Sequence, residues 1–218
     1  MSIQLLLFDL DGTLVDTIRD ITNSLNYALN PIGIRKLTVD ETKQFVGEGL
    51  TKLVEKVLGE AKREFREAVM GKFLEFYTDH LIDDSPVYPH VKATLESLFK
   101  YKKAVISNKR EHLSREILDK LKLLRYFDLV VGSDTTAEKK PSAVPVRYVL
   151  QKLKARPEEA VMIGDSNFDI AAGRRAGVTT VAVTYGYRER NDLLDADYMI
   201  DGFSELPAVL DRISSKFI

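Results

Sequence analysis

Two aspartates, Asp9 and Asp11, stand two positions apart directly after the apolar run of residues 3–8. The run is typical of a short buried strand, and the two-residue period of an extended chain puts both carboxylates on the same side. Two like charges held this close resist joint ionisation, so the pair requires a cation, a proton or both. These residues predict a metal-assisted site in which one carboxylate attacks and the other handles a proton, although a polar turn that ends the strand is an alternative. Gly12 follows and is expected to permit a sharp turn while leaving its backbone N–H unobstructed.

Ser107 and Asn108 follow a second apolar run, residues 103–106. A hydroxyl, an amide and exposed backbone N–H groups at the end of a strand can bind phosphate oxygens. The same residue types are favoured as helix N-caps, and taken alone this cap explanation is the stronger one. The two roles are compatible, because a helix N-terminus is itself an anion site.

A pair of lysines, Lys139 and Lys140, precedes Pro141. Lysine pairs are common in solvated loops, and the spacing by itself leaves that alternative open. Because proline restricts the backbone of the residue before it, Lys140 is the better candidate for a fixed positive charge close to phosphate and to Asp9. Lys139 is expected to be solvated.

Gly164, Asp165 and Asp169 follow the apolar run of residues 160–163. A carboxylate beside a glycine at the end of a buried strand needs a partner, and Asp165 together with Asp9 would form an all-oxygen site suited to Mg²⁺. Asp169 lies four residues later, in the first turn of a predicted helix. It either supports the same site or stabilises the helix N-terminus, where negative charge is favoured.

Short apolar runs without polar alternation position these clusters, as is typical of strands buried on both faces of a parallel sheet. The predicted strands cover residues 3–8, 103–106, 128–131, 160–163 and 180–183, with a last edge strand at 198–200. The predicted helices between and after them cover residues 113–124, 146–153, 170–176 and 204–216. This alternation predicts an α/β fold with a Rossmann-like, doubly wound parallel sheet, in which ligands bind beyond the carboxyl ends of the strands.

Residues 16–82 break the alternation, because helix follows helix there without an intervening strand. The predicted helices cover residues 16–29, 39–46, 50–58 and 60–80. The predicted organisation is therefore an α/β core of residues 1–15 and 83–218 with an inserted α-helical cap domain of residues 16–82. Four aromatic residues at helical spacing are expected to pack inside this cap: Phe65, Phe73, Phe76 and Tyr77.

The 218 residues carry a formal net charge of −1, with 32 Lys and Arg against 33 Asp and Glu. The sequence has no excess of basic residues of the kind that would indicate nucleic-acid binding. The sequence contains no cysteine, which excludes disulfides and thiol nucleophiles and is typical of a cytosolic protein. The apolar start is too short for a membrane span and lacks the flanks of a signal peptide. We therefore expect a cytoplasmic protein with neither a membrane nor a nucleic-acid partner.

The four polar clusters, in this order and each at a predicted strand end, resemble the motifs of the haloacid dehalogenase superfamily. The matching residues are Asp9 to Thr13, then Ser107 and Asn108, then Lys140 and Pro141, and finally Gly164, Asp165 and Asp169. The helical segment between the first two motifs is similar to the C1 cap of that family. The resemblance covers nearly the full length of the chain.

The resemblance implies a role for each motif. Asp9 would attack phosphorus and form an aspartyl-phosphate, while Asp11 would protonate the leaving oxygen and then help to activate water. The implied cofactor is Mg²⁺, held by the carboxylate of Asp9, the backbone carbonyl of Asp11, Asp165 and Asp169. The implied phosphate ligands, which supply positive charge and hydrogen-bond donors, are Gly12, Thr13, Ser107, Asn108 and Lys140. A carboxylate at Asp11 favours phosphoryl transfer, because haloacid dehalogenases themselves lack it.

The choice of substrate is expected to depend on the cap, where Gly47, Glu48 and Gly49 form a candidate substrate loop. A tight turn between two helices explains the two glycines equally well. Similar Val-Gly-x-Gly segments appear in the phosphoglycolate phosphatase branch of the family, as do segments like residues 171–177 and 184–187. The resemblance thus implies a small phosphorylated metabolite as partner, in a monomer or homodimer. Roles for Tyr185 and Tyr187 do not follow from the sequence.

Other activities stay open on the sequence. The enzymatic alternatives are an inorganic pyrophosphatase, a broad small-metabolite phosphatase and β-phosphoglucomutase. The mutase commonly carries an arginine after the second motif and a distinct cap, and neither is evident here. A receiver-like phospho-switch module is the non-enzymatic alternative, but the helical insert and the sequence Asp11-Gly12-Thr13 argue against it.

Overall fold

A computed structural model describes residues 2–215 of the chain. Its strands are β1 (Leu5–Phe8), β2 (Lys102–Ile106), β3 (Leu129–Val131), β4 (Ala160–Gly164), β5 (Thr179–Val183) and β6 (Tyr198–Ile200). Within the described residues they form one parallel sheet in the order β3-β2-β1-β4-β5-β6. This order confirms the predicted doubly wound α/β fold. The first strand lies in the middle of the sheet, where the strand order reverses and ligands characteristically bind.

The same residues form a series of helices around the sheet. They are α1 (Ile18–Leu29), α2 (Val39–Phe45), α3 (Leu50–Leu58), α4 (Arg66–Asp79), α5 (Val91–Ser97), α6 (Glu111–Lys120), α7 (Val144–Leu153), α8 (Asn167–Ala176) and α9 (Leu206–Ser215). Helices α1 to α4 follow one another between β1 and β2, and we call them the helical insert. None of the helices within residues 2–215 is long and apolar enough to cross a membrane.

The chain enters and leaves the helical insert at two neighbouring points. The backbone N–H of Asp16 donates to the carbonyl of Pro86 over 2.9 Å, and that of Tyr88 donates to the carbonyl of Leu14 over 3.1 Å. These bonds tie the outgoing and returning segments together beside the end of β1. The division into a core and a cap of residues 16–82 stays a prediction.

Alternate residues of β1 belong to two apolar cores on opposite faces of the sheet. Leu6 and Phe8 are part of a cluster that includes residues of α1, α6 and α9. Leu5 and Leu7 are part of a second cluster, with residues of α7 and α8. All four side chains are fully buried, and burying each contributes roughly 1.5–3 kcal/mol. The strand that precedes Asp9 is therefore anchored on both faces.

One helix prediction is wrong, and one helix was missed. A single helix over residues 60–80 was expected, but Glu60–Phe65 forms a 3-10 helix before α4, and Lys62 inside it has a non-helical backbone with φ −128°. The Lys62 ammonium donates to the carbonyl of Ile32 over 3.1 Å, which ties this kinked segment to the residues that follow α1. Helix α5 was not predicted. It is as short as α2, but α2 begins at a capping box of Thr38 and Glu41, whereas α5 begins at His90 without a side-chain cap.

The other elements were predicted to within a few residues of their ends. The helix predicted over residues 113–124 ends at Lys120, because Lys122 adopts the left-handed conformation with φ 60°. Gly177 ends α8 in the same conformation, with φ 79°, as is usual for a glycine C-cap. The last predicted helix ran to Lys216, which lies outside the described residues.

Candidate active site

Three neighbouring strands bring the polar clusters to one edge of the sheet. Asp9 follows β1, Ser107 follows β2 and Asp165 follows β4, and β1 pairs with both of the others. These residues line a cavity of about 140 Å³ that is closed on its far side by the helical insert. Lys140 reaches the same cavity from the loop between β3 and α7. The predicted clusters therefore meet at one place.

A cluster of buried carboxylates forms the floor of this site. Asp9, Asp165 and Asp169 each offer an oxygen that lies within 4.8 Å of those of the other two. The Lys140 ammonium lies 2.7 Å from Oδ1 of Asp9 and 2.6 Å from Oδ1 of Asp169. Lys140 is thus the fixed positive charge beside Asp9 that the sequence predicted.

Burial and mutual repulsion control the ionisation of this cluster. Burial, assisted by the charge of Asp169, raises the pKa of Asp9 well above its ordinary value, and the same causes raise the pKa of Asp165 to about 7. Burial by itself would lower the pKa of Lys140, but the charges of Asp169 and Asp9 raise it above its ordinary value. Without a further cation the cluster therefore holds protons that ordinary aspartates would have lost at neutral pH.

The donor set fits a hard divalent cation. All three ligand candidates are carboxylates, and oxygen ligands of this kind suit Mg²⁺. Within the buried cluster, the three carboxylates of Asp9, Asp165 and Asp169 face one ammonium group, that of Lys140. A divalent cation would balance the two remaining negative charges.

Asp169 performs the structural role that its position suggested and also joins the carboxylate cluster. One of its oxygens, Oδ2, accepts hydrogen bonds from the backbone N–H of Ser166 at 3.1 Å and from the Ser166 hydroxyl at 2.5 Å, which caps α8. The other oxygen, Oδ1, accepts from Lys140. The alternatives left open by the sequence are therefore both true of the same side chain.

Glycines let the backbone approach these carboxylates closely. Gly12 has φ 83°, and a Cβ at this position would overlap the Asp165 carboxylate. A Cβ at Gly186 would also overlap Asp165.

The two tyrosines on either side of Gly186, to which the sequence assigned no role, are held by hydrogen bonds. The backbone N–H of Tyr187 donates to Asp165 over 2.7 Å, and the Tyr185 hydroxyl donates to the carbonyl of Thr13 over 2.9 Å.

The side chain of Asp11 is held apart from the carboxylate cluster. Its Oδ1 accepts hydrogen bonds from the Lys109 ammonium and from the Thr17 hydroxyl, both at 2.5 Å. The two aspartates of the first motif therefore have different surroundings: Asp9 faces Lys140 and the other buried carboxylates, whereas Asp11 faces Lys109 and Thr17. Any contact of Asp11 with a metal through its backbone carbonyl stays a prediction.

Several predicted phosphate ligands already have partners in this conformation. The expectation of an unobstructed N–H at Gly12 is wrong, since this group donates to the carbonyl of Val15 over 2.9 Å. Asn108 donates through Nδ2 to the carbonyls of Gly47 and Lys140, at 2.7 and 2.9 Å. The Thr13 hydroxyl is buried and has no hydrogen-bond partner among residues 2–215. Ser107 lines the cavity, and phosphate binding by these residues stays a prediction.

Core side chains donate hydrogen bonds to the backbone of the candidate substrate loop. In addition to the bond from Asn108 to Gly47, the Lys139 ammonium donates to the carbonyl of Glu48 over 2.6 Å. Arg188 donates to the carbonyls of Val46 and of Lys43 at the end of α2. Lys139, which was expected to be solvated, is half-buried and has a backbone carbonyl as a partner of its ammonium. Backbone carbonyls leave no side-chain pattern for sequence to reveal.

The loop itself presents backbone rather than charge to the cavity. Gly47 and Gly49 line the cavity, whereas the Glu48 carboxylate pairs with Lys56 at 2.5 Å. Both glycines have positive φ, 118° and 80°, and a Cβ at Gly49 would lie 2.8 Å from the carbonyl oxygen of Asn108. The close approach of loop and core requires glycine there, and whether the loop recognises substrate stays a prediction.

Four residues at the site had no role assigned from the sequence: Thr17, Tyr77, Lys109 and Arg188. Tyr77 was expected inside the cap, and its ring is indeed buried, but its hydroxyl reaches the Lys109 ammonium at 2.7 Å. Burial raises the pKa of Tyr77 to about 12, so this hydroxyl stays neutral. Lys109 directly follows the second motif, and this position beside a strand end was the available signal for it.

We expect the stability of the metal-free protein to fall as the pH rises from 5 to 7. Asp165 has an ordinary pKa of 3.8 and a folded-state pKa of about 7, so the folded state binds its proton more tightly than the unfolded state. The resulting stabilisation is complete below the unfolded-state pKa and is lost as the pH rises through the folded-state value. Titration of this carboxyl should lower the free energy of unfolding by about 2 kcal/mol as the pH rises from 5 to 7.

Urea unfolding in EDTA at several pH values measures this effect. Asp165→Asn is the matched variant, because it removes the titrating group and keeps the shape of the side chain. Its stability should change less over the same range, so that wild type and variant converge or cross as the pH rises. A constant difference between the two proteins from pH 5 to 7 would contradict the assignment.

The similarity of the chain to known proteins agrees with a catalytic role for this site. The family model for haloacid dehalogenase-like hydrolases matches residues 6–183, and the chain belongs to that family. This confirms the resemblance carried by the four motifs.

Individual relatives narrow the comparison. The chain is 40% identical over 216 residues to the phosphoglycolate phosphatase of Aquifex aeolicus, covering 98% of this chain and 100% of the relative. It is 37% identical to the phosphoglycolate phosphatase of Chromobacterium violaceum, covering 91% and 92% of the two chains. The solved structure of a predicted phosphoglycolate phosphatase from Haemophilus somnus is similar with a TM-score of 0.89 and 28% identity, over 96% of this chain and 98% of the other.

Proposed function

We propose that the protein is a Mg²⁺-dependent phosphomonoesterase that hydrolyses 2-phosphoglycolate to glycolate and phosphate. The observation that carries the proposal is the buried Asp9, which shares Lys140 with Asp169 and faces a cavity covered by the helical insert. The similarity to the phosphoglycolate phosphatases of Aquifex aeolicus and Chromobacterium violaceum supports the choice of substrate. Membership of a hydrolase family favours an enzyme over a receiver-like phospho-switch module.

The chemistry begins at Asp9. Its carboxylate attacks the phosphorus, and the bond between phosphorus and the glycolate oxygen breaks as the aspartyl-phosphate forms. Asp11 gives a proton to the departing alkoxide and thereby becomes able to take one from a water molecule. That water attacks the phosphorus of the aspartyl-phosphate, phosphate leaves, and the Asp9 carboxylate is regenerated.

The neighbouring groups prepare Asp9 and hold the phosphoryl group. Lys140 lies against Asp9 and supplies positive charge where the phosphoryl oxygens would gather, which is the main requirement of phosphoryl transfer. Asp9, Asp165 and Asp169 would hold the Mg²⁺, with the Asp11 carbonyl as a further candidate ligand. When bound, the cation would neutralise negative charge on the phosphoryl group and on the carboxylates.

The lining of the cavity supports a short, doubly charged substrate. The insert contributes mainly apolar side chains: Ile21, Leu50, Leu53, Met70, Phe73 and Leu74. A sugar phosphate would place several hydroxyls against these groups, and each buried hydroxyl without a partner costs about 1–3 kcal/mol. Cationic side chains also line the cavity, at Arg110, Lys139 and Arg188, and they suit a substrate with a second negative group. β-Phosphoglucomutase and sugar phosphatase activities are accordingly disfavoured.

A panel of phosphorylated compounds in the presence of Mg²⁺ tests the proposal. We expect kcat/KM for 2-phosphoglycolate to exceed that for β-glucose 1-phosphate and glucose 6-phosphate by at least about tenfold, since one unpaired hydroxyl suffices for that ratio. Inorganic pyrophosphate is the informative competitor, because it is also short and multiply charged. A higher kcat/KM for pyrophosphate would overturn the substrate assignment, and no hydrolysis of any compound would overturn the phosphatase assignment.

We further propose that the protein acts in the cytoplasm, on the basis of a sequence of 218 residues without cysteine. The proposed binding partner is the substrate itself, a small phosphorylated metabolite. The assembly, monomer or homodimer, stays a prediction.

A further inference from the structure

Tyr77 of the helical insert reaches into the α/β core at the proton-handling side of the site. It lies on α4, and its buried ring is followed by a hydroxyl that accepts a hydrogen bond from the Lys109 ammonium over 2.7 Å. The same ammonium lies 5.1 Å from the centre of the Tyr77 ring, so ring and hydroxyl both face the cation. Lys109 belongs to the loop after β2, and this contact therefore joins the insert to the core.

Lys109 in turn holds the carboxylate of Asp11. Its ammonium lies 2.5 Å from Oδ1 of Asp11, and only 9% of the Lys109 side chain is exposed. The Thr17 hydroxyl donates to the same oxygen. Both contacts fall on Oδ1, so Oδ2 is the oxygen that they leave for the substrate. A carboxylate held by one oxygen in this way has a restricted rotation about its own axis.

We propose that Tyr77 and Lys109 are positioning residues for Asp11, which orient its carboxylate toward the leaving oxygen only when the helical insert is seated on the core. The inference rests on the proposed role of Asp11 as proton carrier. Neither residue touches the reacting phosphorus. Their contribution is to keep Asp11 in place while a proton moves from it to the substrate.

The physical reason is the difficulty of leaving a buried ammonium without partners. Removal of the Tyr77 hydroxyl takes away one acceptor from Lys109, and an unsatisfied buried donor bonded to a charge is costly. Lys109 would then move toward other acceptors or water and change its contact with Asp11. Geometry at a proton-transfer site is sensitive to such small displacements.

The step affected is proton delivery to the leaving group. Hydrolysis of 2-phosphoglycolate expels an alkoxide, which needs a proton from Asp11 as the bond to phosphorus breaks. Acetyl phosphate has a similar size, but its leaving group is acetate, which departs as a stable anion without a proton. A displaced Asp11 should therefore slow formation of the aspartyl-phosphate from the first compound much more than from the second.

The test is the Tyr77→Phe variant, which keeps the ring and removes only the hydroxyl. With Mg²⁺ present, we expect kcat/KM for 2-phosphoglycolate to fall about tenfold, the rate equivalent of one hydrogen bond to a charged group, and kcat/KM for acetyl phosphate to change less than about twofold. Lys109→Met removes both contacts and should show the same pattern with a larger loss on 2-phosphoglycolate.

Tyr27→Phe is the matched control, because Tyr27 also lies in the helical insert but is 42% exposed and stacks on Phe76 away from the cavity. It should leave both kcat/KM values unchanged. Equal losses on the two substrates in Tyr77→Phe, or no loss on either, would overturn the positioning inference. Failure of the wild type to hydrolyse either compound would instead overturn the proposed function.

Discussion

Replacement of Asp9 by asparagine should abolish turnover while leaving the fold intact. The amide has nearly the same shape as the carboxylate, but it lacks the negative charge that attacks phosphorus. Removal of a covalent nucleophile costs several orders of magnitude in other enzymes, so a loss of kcat of at least about a thousandfold is expected here. Phosphate release from 2-phosphoglycolate in a steady-state assay measures it.

Two further observations make this test specific to Asp9. Asp119→Asn is the control, since Asp119 is an exposed aspartate near the end of α6, and its activity should match the wild type. Acid quenching of the wild type during turnover should trap one phosphoryl group on the protein, and Asp9→Asn should trap none. The thermal unfolding temperature should show that the variant is folded. Appreciable phosphatase activity in a clean, folded Asp9→Asn preparation would sink the nucleophile assignment.

Removal of divalent cations should also eliminate activity, and Mg²⁺ should restore it. The three carboxylates of the buried cluster outnumber its one ammonium group, that of Lys140, and a phosphate ester would bring still more negative charge. Without a cation the substrate would meet repulsion at the point where charge must be stabilised. We expect activity after exhaustive EDTA treatment to fall by at least about a hundredfold, the loss of roughly 3 kcal/mol of transition-state stabilisation.

The Asp165→Asn variant connects this dependence to the carboxylate cluster. It removes one anionic ligand candidate and should raise the Mg²⁺ concentration required for half-maximal activity by at least about tenfold. Asp119→Asn should have the wild-type requirement. Full activity after EDTA treatment would contradict a metal site, and an unchanged Mg²⁺ requirement in Asp165→Asn would remove Asp165 from it.

Hydrogen bonds from core side chains hold the loop of the insert over the cavity. Asn108, Lys139 and Arg188 donate to three successive backbone carbonyls, those of Gly47, Glu48 and Val46. Such bonds do not depend on the side chains of the loop. The side chain at Glu48 can therefore vary while the loop keeps its position, whereas Gly47 and Gly49 are required by their backbone conformation.

The sheet and its polar strand ends were predictable from local patterns. Continuous apolar runs such as Leu5–Phe8 are buried on both faces, and this requirement leaves a strong signal in the sequence. Parallel strands place their carboxyl ends at one edge of the sheet, which brings Asp9 and Asp165 together although they are far apart in the sequence. At the other end of the same strands, Gln4 bonds to Glu159, 155 residues away. Gly12 and Gly164 could also be recognised from the sequence, because each stands next to an aspartate at the end of an apolar run.

The division of labour between Asp9 and Asp11 depended on the tertiary structure. Lys140 and Lys109 come from different loops, 98 residues separating Lys109 from Asp11, and no period in the sequence indicates which carboxylate each ammonium meets. The hydroxyl of Tyr77 illustrates the same limit. Its spacing on α4 correctly indicated a buried ring, but the end of that ring is polar, and its partner is chosen by how α4 packs against the core.

The sequence by itself determined the parallel sheet and the clustering of carboxylates at its edge, because both follow from burial and from the period of the chain. The class of chemistry came instead from the resemblance of the four motifs to a known family. Only the tertiary structure decided that Lys139 binds a backbone carbonyl and that the side-chain N–H groups of Asn108 donate to backbone carbonyls. It also decided that Tyr77 contacts Lys109, which in turn contacts Asp11. These are contacts between single polar atoms on separate elements. They are decided by distances of a few ångströms after packing, and residue type and spacing do not encode such distances.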